Sequence, residues 1–207
     1  MARKLMALAL LNTICIAAQA GEVGQSIRAV TPIFSQLVVF SFPRGFVPAF
    51  ENVKASSYIQ ESVPAGESVN KWTQMITITG AKDLALSPNV SPLIFADSVA
   101  AGFKRVCPDS FSATSLGESK LGGYNAFSAV ISCGSASSTK EQYSESLLLI
   151  VVEGVKDYYT IQWAERGDAS ELPLKFESAK WTGRFKKLLP IKLCSLLPGE
   201  AAPYPSC

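Results

Sequence analysis

No histidine occurs among the 207 residues. That absence excludes the Ser–His and Cys–His nucleophile–base pairs, and the histidine-ligated zinc sites, on which many hydrolases depend. There is no Cys-x-x-Cys pair, so a dithiol redox motif has no basis in this chain. The D-x-[DN]-x-[DN]-G spacing of a calcium loop is also missing. No metal site and no cofactor are expected. No run of like charge stands out, which leaves electrostatic capture of nucleic acid or of an anionic membrane surface unsupported. Nor is there an internal repeat or a linker that would divide the chain.

What is present begins with an address. Arg3 and Lys4 precede an apolar stretch from Leu5 to Ala18, too short to span a bilayer comfortably, and Ala18-Gln19-Ala20 supplies small residues for a signal peptidase. Residues 1–20 therefore read as a cleaved signal peptide, with the mature chain starting at Gly21. Ile14 before Cys15 does not fit a lipoprotein box, so no stable membrane anchor is expected after cleavage. Arg3 and Lys4 account for the excess of 19 basic over 17 acidic side chains, which makes the mature protein near neutral. The expected location is periplasmic or extracellular.

The strongest local pattern lies between Ser146 and Glu165. The unbroken apolar run Leu147–Val152 reads as a strand buried on both faces. A turn over Glu153-Gly154-Val155-Lys156 leads into a second strand, in which Tyr159, Ile161 and Trp163 alternate with Thr160, Gln162 and Ala164. That period of two predicts one buried face. Residues 21–35 are small and polar, and read as a partly ordered arm. Gln36 to Phe42 is a strand ended by the turn Pro43-Arg44-Gly45, and Phe50 to Val63 is a second strand. Trp72 to Thr79 is a third, with Trp72, Gln74, Ile76 and Ile78 on one face and the threonines on a half-solvated one.

Ser91-Pro92 has the form of a helix start, Ser as cap and Pro in the first turn. Phe95, Val99, Phe103 and Val106 make the apolar stripe of that helix, which Cys107-Pro108 closes. Phe111 to Gly117 and Tyr124 to Cys133 form a hairpin hinged at Gly122-Gly123. Pro173 is placed to open a second helix with Leu174, Trp181, Phe185 and Leu188 on one face, stopped by Pro190. The fold class is α+β: an antiparallel sheet of about six to seven strands covered by two main helices. A single domain spans 36–193, followed by an irregular tail over 194–207.

Four cysteines remain in the mature chain, and export makes pairing their default state. A turn centred on Gly122-Gly123 returns Cys133 to the level of Ser112, a few residues past Cys107. The expected bridges are therefore Cys107–Cys133 and Cys194–Cys207. The first closes a loop worth on the order of 3 kcal/mol in the chain-entropy description.

Several short motifs touch on chemistry. Ser68-x-x-Lys71 and Ser137-x-x-Lys140 have the spacing of serine–lysine enzymes, but the companion motifs are absent and both lie in serine-rich loops. Glu153, Asp157, Glu165 and Asp168 cluster at the two ends of the central hairpin, where paired carboxylates could do glycosidic acid/base work. Solvated turn charges are the commoner outcome of such a pattern. Arg166-Gly167-Asp168 matches the integrin-binding tripeptide but reads as a connector, and Asn89-Val90-Ser91, which fits a glycosylation acceptor, is discounted because Pro92 follows it and the signal peptide is of bacterial type. Tyr58, Trp72, Tyr124 and Tyr158 are the candidates for an aromatic binding face.

The order strand–strand–strand–helix–hairpin–hairpin–helix resembles the PsbP/DcrB-like α/β fold. The likeness is carried by Phe42-Pro-Arg-Gly-Phe46, Trp72 to Gly80, the helix from Pro92, the hairpin over 146–165 and the last helix through Phe185. Tyr58 to Glu67 followed by Trp72 also resembles small bacterial secreted proteins. What the resemblance implies is a non-catalytic accessory or assembly protein. The leading expectation is an exported, non-enzymatic envelope protein that binds a protein or envelope partner or supports an assembly. The alternatives are a small carboxylate-dependent hydrolase and a periplasmic inhibitor or immunity protein.

Overall fold

The central hairpin anchors the fold of the computed structural model, which describes residues 26–137 and 142–207. The expected signal peptide, Cys15 and the Ser137-x-x-Lys140 motif lie outside the described residues, wholly or in the part that matters. In chain order the strands are β1 Ser26–Ile33, β2 Gln36–Pro43, β3 Phe46–Val53, β4 Ser57–Pro64 and β5 Gln74–Ala81. They continue with β6 Phe111–Leu121, β7 Tyr124–Ser137, β8 Gln142–Glu153, β9 Tyr158–Gly167 and β10 Lys192–Ser195; the helices are α1 Pro92–Val106 and α2 Ser178–Leu188. Seven strands form one sheet in the order β3-β4-β5-β9-β8-β7-β6, and three form another, β1-β2-β10. All pairings are antiparallel.

The period-two pattern of β8 splits its side chains between two cores. Leu148, Ile150 and Val152 point to a core shared with Tyr159, Ile161 and Trp163 of β9, with Val38 and Phe40 of β2, and with Trp181 and Leu188 of α2. Leu147, Leu149 and Val151 point the other way, toward Ala96, Phe95, Val99 and Phe103 of α1. The large sheet is thus a middle layer, with α1 on one face and α2 plus the small sheet on the other.

Several expectations are corrected. The one-buried-face pattern of β9 does not hold, because both faces are covered: Thr160 and Ala164 are buried along with Tyr159 and Ile161. The same covering buries Thr77 of β5. Trp72 precedes β5 and packs with Met75 on the α1 side, rather than with Ile76. The single strand expected over Phe50–Val63 is a hairpin of β3 and β4, closed where Lys54 N donates to Ser57 O at 2.8 Å.

From Ser26 onward the expected partly ordered arm is strand β1, paired with β2 along its whole length. The irregular tail also begins later, because Cys194 and Ser195 pair with Leu37 and Gln36. The domain therefore runs past both expected ends. Gly80 shows how closely its two sheets approach: a Cβ there would meet Ile33 Cγ2 at 2.5 Å.

Other local readings hold. Ser91 Oγ accepts from Ile94 N at 3.2 Å with Pro92 in the first turn, the cap that the sequence announces. Lys104 and Arg105 lie in the last turn of α1, where cations complement the helix dipole. Gly122 and Gly123 both take positive φ, 58° and 92°, as a two-residue hairpin turn requires. Both expected disulfides are present, with Cα–Cα separations of 5.8 Å for Cys107–Cys133 and 5.7 Å for Cys194–Cys207.

Pro173 does not open the second helix. Residues 170–177 cross the ends of β6 and β7 as an irregular strap, held by Ser170 N donating to Gly134 O at 2.8 Å and Ser112 Oγ to Leu174 O at 3.3 Å. Gly134 permits that crossing, since a Cβ would lie 2.5 Å from Leu172 O and 2.6 Å from Ser170 O.

Candidate functional site

The register of β8 with β9 sets Glu145 opposite Arg166 and Ser146 opposite Glu165 at the open end of the hairpin. Because successive side chains alternate between faces, this end of the sheet carries a separate ionic cluster on each side.

On the α1 side, Arg166 Nε donates to Glu145 Oε2 at 3.2 Å. Its guanidinium lies between two rings, with Cζ 3.8 Å from the Trp72 centroid and 4.0 Å from that of Tyr143. Thr73 O accepts from Arg166 N at 2.9 Å and fixes the strand end. Thr73 is held in turn by Glu67, whose Oε2 accepts from its N–H at 2.6 Å. Burial raises the Glu145 carboxyl above the usual range, and the charge and hydrogen bond of Arg166 offset only part of that rise. Between α1 and the start of β8 runs an apolar groove of about 390 Å³, bordered by Val99, Phe103, Val106, Cys133, Tyr143 and Glu145.

On the α2 side, Glu165 receives Lys180 Nζ at 2.6 Å and Arg184 Nη2 at 2.5 Å. Lys180 also binds Glu177. The Arg184 guanidinium lies 4.7 Å from the Trp181 ring centroid and 5.1 Å from that of Trp163. Burial alone would raise Glu165, but the two cations outweigh it and hold the carboxyl below its ordinary value. A cavity of about 420 Å³ opens here between Ser144, Ser146, Leu174, Glu177 and Trp181. A third hollow, below the end of α1, is bordered by Val106, Ser110, Ser135 and Leu172. Of its lining, the side chains of Leu172 and Val106 are 73% and 61% exposed, and Phe176, four residues further along the chain from Leu172, is 40% exposed.

The four aromatic residues proposed as a binding face do not form one surface. Tyr58 is buried on the α2 side, and its hydroxyl donates to Glu51 Oε1 at 2.8 Å. Tyr124 is half-buried on that side and accepts from Gln36 Nε2 at 3.0 Å. Trp72 and Tyr158 are buried on the α1 side. Tyr158 stacks on Phe95 with centroids 5.6 Å apart and donates to Val90 O at 2.9 Å. Its burial, with a contribution from Glu153, pushes the phenol up to about 12.

The carboxylates also separate. Asp157 is buried in the β8–β9 turn and accepts from Ser35 N and Oγ, Asp83 N and Tyr159 Oη. Burial would raise it, yet those donors hold it below the usual range. Glu153 accepts from Asn125 Nδ2 at 3.0 Å, and Asp168 is exposed. Ser68 and Lys71 bond each other through their backbones around a tight turn, Lys71 N to Ser68 O at 3.0 Å. The arginine of Arg166-Gly167-Asp168 is committed to the aromatic sandwich. Among the described residues, no group of three Cys, Asp or Glu side chains is placed to hold a metal ion.

Sequence reasoning missed the roles of Glu145, Tyr143 and the groove. The signal lay in the hairpin: a turn over 154–157, one residue later than the expected one, puts Glu145 directly across from Arg166, an opposite-charge cross-strand pair.

No family model matches the chain, and no curated protein matches it. Solved structures do. The Ran-binding protein Mog1p of Saccharomyces cerevisiae is 12% identical, with a TM-score of 0.41 over 80% of this chain and 86% of its own. LpqN of Mycobacterium tuberculosis, described as involved in cell envelope biogenesis, is 9% identical, with a TM-score of 0.38 over 81% and 91%. A protein of Bacteroides thetaiotaomicron is 14% identical, with a TM-score of 0.37 over 85% of this chain and 50% of its own.

Proposed function

We propose that this chain is an exported, non-enzymatic module of PsbP/DcrB-like fold that binds a protein or envelope partner or supports an assembly. The partner is received at the open end of the central hairpin. The observation that carries this reading is the exposed apolar rim of Val106, Leu172 and Phe176. Exposed apolar side chains scattered singly are normal, but here Val106 and Leu172 border one hollow and Phe176 continues along the same strap. Asp109 and Glu171 border the same hollow, an arrangement suited to an apolar contact core with a polar edge.

The non-catalytic part of the proposal is supported by how the carboxylates are used. Asp157 is taken up by four donors and Glu165 by two cations, and both are held ionised rather than poised near neutrality. The two disulfides fit an extracytoplasmic protein, and no helix among the described residues is long and apolar enough to cross a membrane. Cleavage after Ala20 belongs to the same proposal; the mass of the exported protein should correspond to a chain beginning at Gly21.

The test is site-specific photo-crosslinking in the native envelope, with a reactive side chain at position 172 or 176 and controls at Val47 and Val53 on the far edge strand. A single stoichiometric partner captured only from 172 and 176 supports the reading. Equal capture from the controls, or ester or glycan turnover by the purified protein, overturns it.

A further inference from the structure

We propose that the groove between α1 and the start of β8 is a binding site for a small amphiphile, an apolar body carrying one ammonium group. It adjoins the partner surface at Val106, which borders both hollows, and three features converge on it. Val99, Gly102, Phe103 and Val106 follow one another at helical spacing, so a single stripe of α1 forms one wall. Cys133 and Ala136 border it from β7, and Tyr143 and Glu145 from β8. Its volume of about 390 Å³ is within the range of small-molecule pockets, about 300–1,000 Å³.

Gly102 is the second feature. A glycine within a helix is destabilising relative to alanine, so it needs a reason. Its φ lies outside the left-handed region, and a Cβ would meet nothing closer than Arg105 Nη2 at 3.8 Å. Neither the backbone nor packing requires glycine. Its missing side chain instead leaves the helical wall of the groove open.

Glu145 is the third. Its Oε2 takes the Arg166 Nε donor, while Oε1 accepts no hydrogen bond from any described residue. A half-buried carboxylate with one free oxygen, at the polar end of an apolar groove, is complementary to an ammonium group. The opposing charge, Arg105, has its Nη2 3.8 Å from the Cβ position of Gly102 at the groove wall, but it is exposed and solvent screens it. Arg166 is already paired with Glu145 and covered by Trp72 and Tyr143.

Calorimetric titration of the disulfide-bonded mature protein with octylammonium, octanol and octanoate tests the site. Octylammonium is expected to bind about tenfold more tightly than octanol, the scale of one charge-assisted hydrogen bond, with octanoate weakest. Glu145→Gln should bring octylammonium to the octanol level and leave octanol itself unchanged. Gly102→Ala should raise Tm while weakening all three ligands, a combination that a purely structural glycine does not give. Gly102→Leu should fill the groove and abolish binding. Should Glu145→Gln fail to fold, the Gly102 variants still decide the matter. The proposal is overturned by octanoate binding as tightly as octylammonium, by no binding of any of the three at millimolar concentration, or by wild-type binding in Gly102→Leu. Substituting Leu172 or Phe176 should leave octylammonium binding intact, which separates this site from the partner surface.

Discussion

The guanidinium carbon of Arg166 lies 3.8 Å from the centroid of the Trp72 ring, closer than any other cation–ring contact among the described residues. The contact joins the end of β9 to the segment before β5, and Tyr143 closes the other side of the cation. A lysine at 166 keeps the charge but loses the planar stack and the Nε donor to Glu145. Arg166→Lys should therefore cost about 1–2 kcal/mol, the scale of a desolvated cation–π contact. Urea unfolding of the two proteins measures it, and equal midpoints would show that the sandwich adds no net stability.

Asp157 ties three parts of the fold together. Ser35 belongs to the turn between β1 and β2, Asp83 to the loop after β5, and Tyr159 to β9, and all three donate to one buried carboxylate. Its folded-state pKa is lowered, so its stabilisation is present in full above the unfolded-state value of about 4. It is lost as pH falls through the folded value. Asp157→Asn should cost about 2–4 kcal/mol at neutral pH, because the amide leaves donors facing a donor. The gap between wild type and variant should narrow as pH is lowered from 6 toward about 2. Denaturant titrations at several pH values check this, and a gap independent of pH would remove Asp157 as its source.

The sequence made some of this legible because the deciding information was local. Ser91-Pro92 carries its own cap, Gly122-Gly123 its own turn, and Leu147–Val152 its own demand for burial. The Gly122-Gly123 turn also yielded the Cys107–Cys133 bridge with an error of one residue. Cys133 faces Phe111 rather than Ser112, because the register shifts between Ser115 and Gly117 and Leu116 is left unpaired. What was not legible depends on which elements cover which face. Alternation in β5 and β9 distinguishes two faces, but only the small sheet and α1 decide that both are buried. Hence Tyr58, Trp72 and Tyr158, read as surface aromatics, are interior. The pairing of β1 and β10 with β2 brings Ser35 to Asp157 across 122 residues, and no local signal marks it.

Ser128 is a buried polar group whose Oγ makes no hydrogen bond to any described residue. It sits on β7 between Ala126 and Val130, facing the α2-side core. An unsatisfied buried hydroxyl costs about 1–3 kcal/mol relative to a satisfied one. Ser128→Ala removes the hydroxyl and leaves only a small change in volume, so it should stabilise the protein by about 1 kcal/mol. Thermal melts should show a higher Tm for the variant; a lower one would mean that the hydroxyl is satisfied in solution.

The two disulfides should differ in what they contribute. Cys107–Cys133 closes a separation of 26 residues and clasps the end of α1 to β7, both of which are packed in the core. Removing it restores entropy to the unfolded chain while the native elements stay ordered by their own contacts. The full loop-closure cost, about 3 kcal/mol, should therefore appear. Cys194–Cys207 spans 13 residues, and beyond Ser195 the tail contains no helix or strand and is mostly exposed. Without that bond the native tail gains freedom as well, which cancels much of the entropy gained by the unfolded state. The paired Cys107→Ala, Cys133→Ala variant should lose about 3 kcal/mol. The paired Cys194→Ala, Cys207→Ala variant should lose under about 1 kcal/mol by the same reasoning. Guanidinium unfolding of both variants tests the difference, and a larger loss from the tail pair would show that the segment beyond β10 is held by more than its bridge.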